Sequence, residues 1–229
     1  MPELAPLANS VGVVILAAGR SARMGCPKLL LPWGGTSMLG HLLGQWRTLG
    51  ARQITVVCAA GDQVTEAELE RLAFPLADRI FNRVPDRGMF SSIQCAAQWV
   101  GWEPGLSRWA IVLGDQPLVR GETLRCVLEF AAGRLEMICQ PARDGHGRHP
   151  VVLPRAAFLA LANSTAATLK QFLQGRAGEI ALCPADDPGL EMDIDRPEDY
   201  RKALGLAVKQ ELNPGPIPVN NEQTNYEPG

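Results

Sequence analysis

The sequence predicts an α/β protein with a mostly parallel, doubly wound sheet, and three observations carry that prediction. Short apolar runs rich in β-branched residues, at 13–16, 53–59, 79–82 and 109–113, alternate with longer segments of helical period. The strongest two, VVIL at 13–16 and WAIVL at 109–113, are apolar without interruption, as a strand buried on both faces requires. At 229 residues the chain is long enough for one domain with helices covering both faces of a sheet, and a second independent domain is not expected.

The first strand, 13–16, stops at Ala17, Ala18 and Gly19, which leave little side-chain bulk, so another molecule can approach the backbone there. Arg20, Arg23 and Lys28 follow as a cluster. Backbone N–H groups of a tight loop together with clustered cations suit a polyphosphate; an ordinary turn with solvated arginines has the same composition. Two familiar phosphate loops are excluded. Cys26 follows Gly25 where a Walker loop needs Lys, and Gly19 is followed by Arg20 and Ser21 with no second glycine for GxGxxG.

After the turn at Gly34-Gly35, Thr36 or Ser37 caps a helix reaching about Leu49, with Met38, Leu42, Leu43 and Trp46 on its buried face and His41 a surface or packing residue. The run QITVVCA at 53–59 is the second strand, 64–72 a helix with an acidic solvated face, and 79–82 the third strand. Gly88 then breaks the chain, and Ser91 or Ser92 begins a helix that turns Ile93, Ala96, Ala97 and Val100 to the core. The strand at 109–113 delivers Gly114, Asp115, Gln116 and Pro117 at its carboxyl end, where open α/β sheets bind ligands. Asp115 either caps the next helix, 122–130, or offers a hard oxygen to Mg²⁺. A strand at 137–140, a polar hairpin or loop at 141–150 and a strand at 151–154 follow, and Asn163 or Ser164 caps a helix into 173. Asp193 and Asp195 alternate along an extended segment and share a face, while Pro197 starts a helix ending near Leu206 or shortly after.

A net charge of −2, from 22 basic and 24 acidic residues, gives no global field toward nucleic acid or a membrane, so any phosphate is gripped locally. Cysteines 26, 58, 95, 126, 139 and 183 form no CxxC pair and read as reduced, buried thiols of a cytosolic protein. Cys26 is the exception in place, inside the cationic loop, which can lower the pKa of a thiol; with no His-bearing partner motif, an inert thiol is the favoured reading there. The opening MPELAPLANS has an acid and too little apolar length for a signal peptide, and no segment reaches a membrane span, so a cytoplasmic location is expected. The divisions are an N-terminal extension at 1–10, one domain at 11–207 and a proline-rich disordered tail at 208–229.

The stretch LAAGRSARMGCPKLLLPW, 16–33, closely resembles the signature loop of the molybdenum cofactor cytidylyltransferase family, a branch of the molybdopterin nucleotidyltransferases. The pattern is LAAGxSxRMGxxK before an apolar run and Pro, with a dozen positions in register. GTP-using relatives read LAGG, whereas Ala18 matches the branch associated with CTP. The resemblance implies a three-layer, Rossmann-like nucleotidyltransferase fold with a mostly parallel mixed sheet. It also implies Mg²⁺-dependent transfer of CMP from CTP to the terminal phosphate of molybdopterin, releasing pyrophosphate.

Carried over residue by residue, the resemblance assigns nucleotide binding to Leu16, Ala17, Ala18, Gly19, Arg20, Arg23, Lys28 and Gly114. A GMxxS segment adds Gly88, Ser91 and Ser92 near the base. Arg20 and Arg23 take the β- and γ-phosphates, and Lys28 reaches toward the α-phosphate as the main catalytic cation. GDQP matches the family's metal segment and makes Asp115 a Mg²⁺ ligand; DIDRPEDY matches DIDTPEDY and makes Asp195 the second, with Asp193 its neighbour or alternate. Gln116, His149 and Pro150 fall near the acceptor, through a GHP-like segment with Arg148 inserted. A molybdenum hydroxylase or its maturation factor is the implied partner. One departure concerns the acceptor: where relatives have a GDxGAR-like segment, this chain reads NSTAATLKQFL. That leaves another phosphorylated acceptor, such as a sugar or polyol phosphate, or GTP as donor, as an alternative. A non-catalytic carrier of the pterin is a third reading, against which Asp115 and Asp195 together argue.

Overall fold

The computed structural model describes residues 10–212. The expected extension therefore lies outside the described residues except for Ser10, and the expected tail except for 208–212, which continue the last helix. From β1 (Val11–Leu16) the chain crosses a loop and a short 3₁₀ turn, Lys28–Leu30, into a hairpin of β2 (Pro32–Trp33) and β3 (Thr36–Ser37). Next come α1 (Met38–Thr48), β4 (Gln53–Ala59), α2 (Gln63–Arg71), β5 (Arg79–Asn82) and α3 (Met89–Gln98). The second half holds β6 (Arg108–Leu113), α4 (Gly121–Ala132), β7 (Ile138–Arg143), β8 (His146–Gly147) and β9 (Val151–Pro154). It closes with α5 (Arg155–Leu161), α6 (Leu169–Gln174), β10 (Ile180–Pro184) and α7 (Pro197–Leu212).

The main sheet runs β10-β7-β9-β6-β1-β4-β5, with β8 paired to β7. Among the described residues every antiparallel pairing in it involves β9 or β8, so the sheet is mixed and mostly parallel, as the sequence predicts. β1 is central: Leu16 lies opposite Val57 of β4 and Leu113 of β6, which sets the loops after β1 and β6 side by side. They touch closely, because a Cβ on Gly114 would come within 2.7 Å of the Leu16 carbonyl oxygen.

Alternate residues of β1 pack to opposite faces. Val13 and Ile15 share one core cluster with Leu39, Leu43 and Trp46 of α1 and Val127 of α4, whereas Val14 belongs to another with Ile93 of α3 and Phe158 of α5. Each such side chain contributes about 1.5–3 kcal/mol by leaving water. Trp109 stacks on Phe158 with centroids 4.5 Å apart. A third cluster, Met24, Trp33, Met38, Leu118, Ile194 and Ala203, fastens α7 and the segment before it onto the cationic loop and the β2–β3 hairpin.

Several local expectations are corrected. Ser37 does cap α1, its Oγ accepting from Gly40 N at 3.0 Å. Ser91 and Ser92 do not cap α3, which starts at Met89 behind Gly88 at φ 87°. Both serines are buried, and the Asn82 amide donates to their hydroxyls at 2.8 and 3.0 Å. Val100 lies past the end of α3 and is 97% exposed rather than in the core. Asn163 and Ser164 do not cap α6: Thr168 does, while Ser164 Oγ accepts from Ala166 N in the preceding turn. The 141–150 segment is a hairpin, turning at Asp144 and Gly145 with φ 50° and 75°, the left-handed pair a two-residue turn favours. The last helix passes Leu206 and reaches Leu212. The cysteines are free thiols, yet Cys126 joins Cys26 in being exposed. Among the described residues no helix is long and apolar enough to cross a membrane.

Candidate active site

At the carboxyl ends of β1 and β6 lies an open cleft of about 400 Å³. Leu16, Ala18, Gly19, Arg20, Arg23, Lys28, Gly88, Ser92, Gly114, Asp115 and Asp195 all line it, so one cleft collects most of the sequence-assigned donor-site residues. Ala17 and Ser91 sit beneath its floor: Ala17 N continues the sheet by donating to Val57 O at 2.9 Å, and Ser91 bonds Gly88 O.

The cationic loop is pinned at both ends. Ser21 Oγ accepts from Lys28 N at 3.2 Å and Ser21 O from Met24 N at 2.9 Å, while the Met24 side chain is buried in the third cluster. Ser21 holds φ 48°, a conformation costly for a residue with a side chain and one the surrounding bonds must enforce. Opposite, Ile194 N donates to Asp115 O at 2.9 Å, and the fully buried Ile194 side chain anchors the segment. That single backbone bond brings Asp195, from the far end of the chain, beside Asp115.

Every cation in the cleft leans on an acid. Lys28 Nζ donates to Asp115 Oδ2 at 2.7 Å and Asp195 Oδ1 at 3.2 Å; Arg23 pairs with Asp195 Oδ2 at 2.7 Å, and Arg20 with Asp86 Oδ2 at 2.6 Å. Arg20 and Asp86 are 71% and 69% exposed, and such pairs contribute about 0–1 kcal/mol, so an anionic ligand can take the guanidinium at little cost. Lys28 is only 14% exposed and its ammonium sits between two carboxylates. Asp115 Oδ1 is buried with no hydrogen-bond partner. A lone pair withheld from water and from the protein fits a hard divalent cation, as do the oxygens of Asp115 and Asp195. Among the described residues no cluster of three or more His, Cys, Asp or Glu offers a complete cage. Mg²⁺ held by two carboxylates completes its shell with water and phosphate oxygens.

The remaining assigned residues lie apart from the cleft lining. Asp193 is exposed and accepts from Gln116 Nε2 at 2.7 Å, so it braces the Asp115 loop. Gln116, His149 and Pro150 share a small hollow with Gln45 and Trp46 behind β6. His149 Nδ1 lies 3.2 Å from Ile111 O, and burial lowers its pKa against the opposing pull of that carbonyl, Asp115 and Asp193. His149 also borders a second cavity of about 570 Å³ with Gln140, Arg148 and Lys170, and Met89 lines both this cavity and the cleft. His41 is a packing residue, 3.0 Å from Pro117 O. Among the lining residues that the sequence reading leaves unassigned, Met89 falls inside the GMxxS segment without a role of its own, and Asp86, between Pro85 and Arg87, reads only as turn chemistry.

The model of a family described as "MobA-like NTP transferase domain" matches residues 13–190, more than half of the chain. A curated relative, the "Bifunctional protein GlmU" of Paracidovorax citrulli strain AAC00-1, is 32% identical over 145 residues, 61% of this chain but 30% of the relative. The solved structure of Mycobacterium tuberculosis Rv0371c in complex with manganese is 26% identical, covers 86% of this chain and 98% of its own, and superposes with a TM-score of 0.60. A nucleotidyl transferase from Methanothermobacter thermautotroptrophicus shares the fold at 20% identity and a TM-score of 0.73, covering 88% of this chain and 99% of its own.

Proposed function

Because the chain belongs to the MobA-like NTP transferase family, we propose that it transfers CMP from CTP to the terminal phosphate of a molybdopterin-type acceptor, releasing pyrophosphate. The observation that carries this reading is the meeting of Arg20, Arg23 and Lys28 with Asp115 and Asp195 in one cleft, with Asp115 Oδ1 left unpartnered. Asp115 and Asp195 would hold Mg²⁺, which when bound neutralises triphosphate charge.

The chain's own side chains do the rest. A phosphomonoester with a second pKa near 6 is already largely dianionic at neutral pH, so no general base is needed to make it a nucleophile. The task is to bring two anions together and to stabilise charge on the leaving pyrophosphate. Arg20 exchanges Asp86, and Arg23 exchanges Asp195, for β- and γ-phosphate oxygens. Lys28 gives up its carboxylate contacts and donates from Nζ toward the α-phosphate, the point where charge develops. Gly19, with open space where a Cβ would stand, keeps the wall low enough for the phosphates to reach backbone N–H groups, while Gly114 lets its loop pack against the Leu16 carbonyl beneath. Ala18 supports CTP over GTP, and Gly88 and Ser92 border the space for the base.

A second reading keeps the cleft and changes the acceptor to a sugar or polyol phosphate. Its support is 163–168, which form no helix and carry none of the acid and arginine expected there by resemblance. Pyrophosphate release from CTP and GTP with Mg²⁺, with molybdopterin or a panel of phosphorylated acceptors, tests both. CTP-dependent release on adding molybdopterin is expected. CTP selectivity without turnover on molybdopterin favours the second reading, and nucleotide binding without turnover on any acceptor favours a carrier.

A further inference from the structure

Outside the cleft, two thiols lie against each other. Cys126 is exposed on α4, Cys183 is buried on β10, and their sulfurs are 3.5 Å apart across 57 positions of chain. Neither serves the proposed transfer. Exposure divides their roles, because an oxidant arriving from solvent meets Cys126 first. Burial pushes the Cys183 thiol up to about 12, so Cys126 takes the oxidant first and Cys183 follows, its proton passing to the departing hydroxyl. Among the described residues Cys26, the other exposed thiol, has no second sulfur against it.

We infer that Cys126 and Cys183 are a modification site, a reversible intramolecular disulfide formed on exposure to hydrogen peroxide, which staples α4 to β10. In the first step the Cys126 sulfur attacks a peroxide oxygen: an S–O bond forms, the O–O bond breaks, and the leaving hydroxide departs as water with the thiol proton. In the second the Cys183 sulfur attacks the Cys126 sulfenic acid: S–S forms, S–O breaks, and the hydroxyl leaves as water with the Cys183 proton. Two thiols lose two electrons and the peroxide gains them. The sulfurs approach from 3.5 Å to about 2.0 Å, a small movement of an exposed helical side chain toward an edge strand. The bond lies one helical turn along α4 from Thr123, which already holds the segment after β10 through Asp187, so it reinforces an existing junction.

The test is to treat the full-length protein with hydrogen peroxide under native conditions, block free thiols with an alkylating agent, and map peptides by mass spectrometry. A linked Cys126–Cys183 pair lighter by two hydrogens and reversed by dithiothreitol is expected, with Tm raised by roughly 5 °C or more. Cys126→Ser removes the linked pair. Cys183→Ser leaves a Cys126 sulfenic acid that dimedone traps; should that variant not fold, the wild type and the exposed-site variant decide. Cys126 that stays fully alkylatable, proceeds to sulfinic acid unlinked, or links to another cysteine overturns the pairing. A linked pair with unchanged Tm overturns the staple.

Discussion

Asp187 and Asp115 are carboxylates at the carboxyl end of the sheet, each with at least one buried oxygen, and the fold treats them in opposite ways. Asp187 is wholly buried and fully bonded: Oδ2 accepts from Arg120 N at 2.9 Å and Thr123 Oγ1 at 2.7 Å, and Oδ1 from Gly189 N at 2.8 Å. It thereby caps α4, whose own N-cap residue, Arg120, offers no side chain to its backbone. Asp115 is instead bonded through Oδ2 to a lysine side chain, and its Oδ1 is buried and alone. Buried polar groups are normally satisfied, so a fully paired acid marks a joint of the fold and a half-paired one marks a place kept for a ligand.

The sharpest way to break this contrast is Asp115→Ala, which is expected to abolish Mg²⁺-dependent pyrophosphate release while the protein stays folded. An unaltered Mg²⁺ titration of the rate would return Asp115 to the structural class. Lys28→Ala comes next, with a loss of roughly two to three orders of magnitude in kcat, equivalent to about 2.7–4 kcal/mol of transition-state stabilisation. Near-normal turnover removes Lys28 from the mechanism and leaves its two carboxylate contacts as an ion pair of the resting fold.

Asp187→Ala probes the other side of the contrast. It strips acceptors from two backbone N–H groups and a hydroxyl, and is expected to lower stability by about 2–4 kcal/mol, read as a shift in the urea midpoint. The Mg²⁺ titration of the folded fraction stays as in the wild type. Lost Mg²⁺ dependence at unchanged stability would show that satisfaction of hydrogen bonds does not separate joints from ligand sites here.

How much of this was legible in the sequence differs between the two acids for physical reasons. The cationic loop is contiguous, so its residue types and spacing are visible in one stretch, and the cleft gathers Arg20, Arg23 and Lys28 as that stretch suggests. Asp115 and Asp195 converge through a backbone bond from Ile194 that no pattern announces; resemblance alone linked them. Ser91 and Ser92 look like caps in the sequence because a hydroxyl before an apolar helical stripe has the same pattern whether it caps or is claimed by Asn82. The apolar run Val151–Pro154 carries no mark of direction, so composition could not tell that β9 runs antiparallel between β6 and β7. Asp187 carries no local signal of its role, since Thr123 of α4 and Arg120 just before it lie 64 and 67 positions away.

Glu68 on α2 lies between the two extremes and gives the smallest effect. It is 9% exposed, and its carboxylate accepts from Arg71 Nε and Nη2, both at 2.7 Å, within the same helix. That pairing holds the Glu68 carboxyl below its usual range, against the effect of burial and with help from the Ser37 hydroxyl. A carboxyl with a depressed folded-state pKa contributes stability that is present above its unfolded value near 4.5 and fades as pH falls through the folded one. An i,i+3 pair of this kind contributes about 0.2–0.5 kcal/mol. Glu68→Gln should therefore cost a few tenths of a kcal/mol at pH 7, and the difference from wild type should close as the urea midpoint is followed below pH 4. A gap that persists at low pH would trace the loss to packing between α2 and the Ser37 cap of α1, and would put Glu68 with Asp187 among the joints.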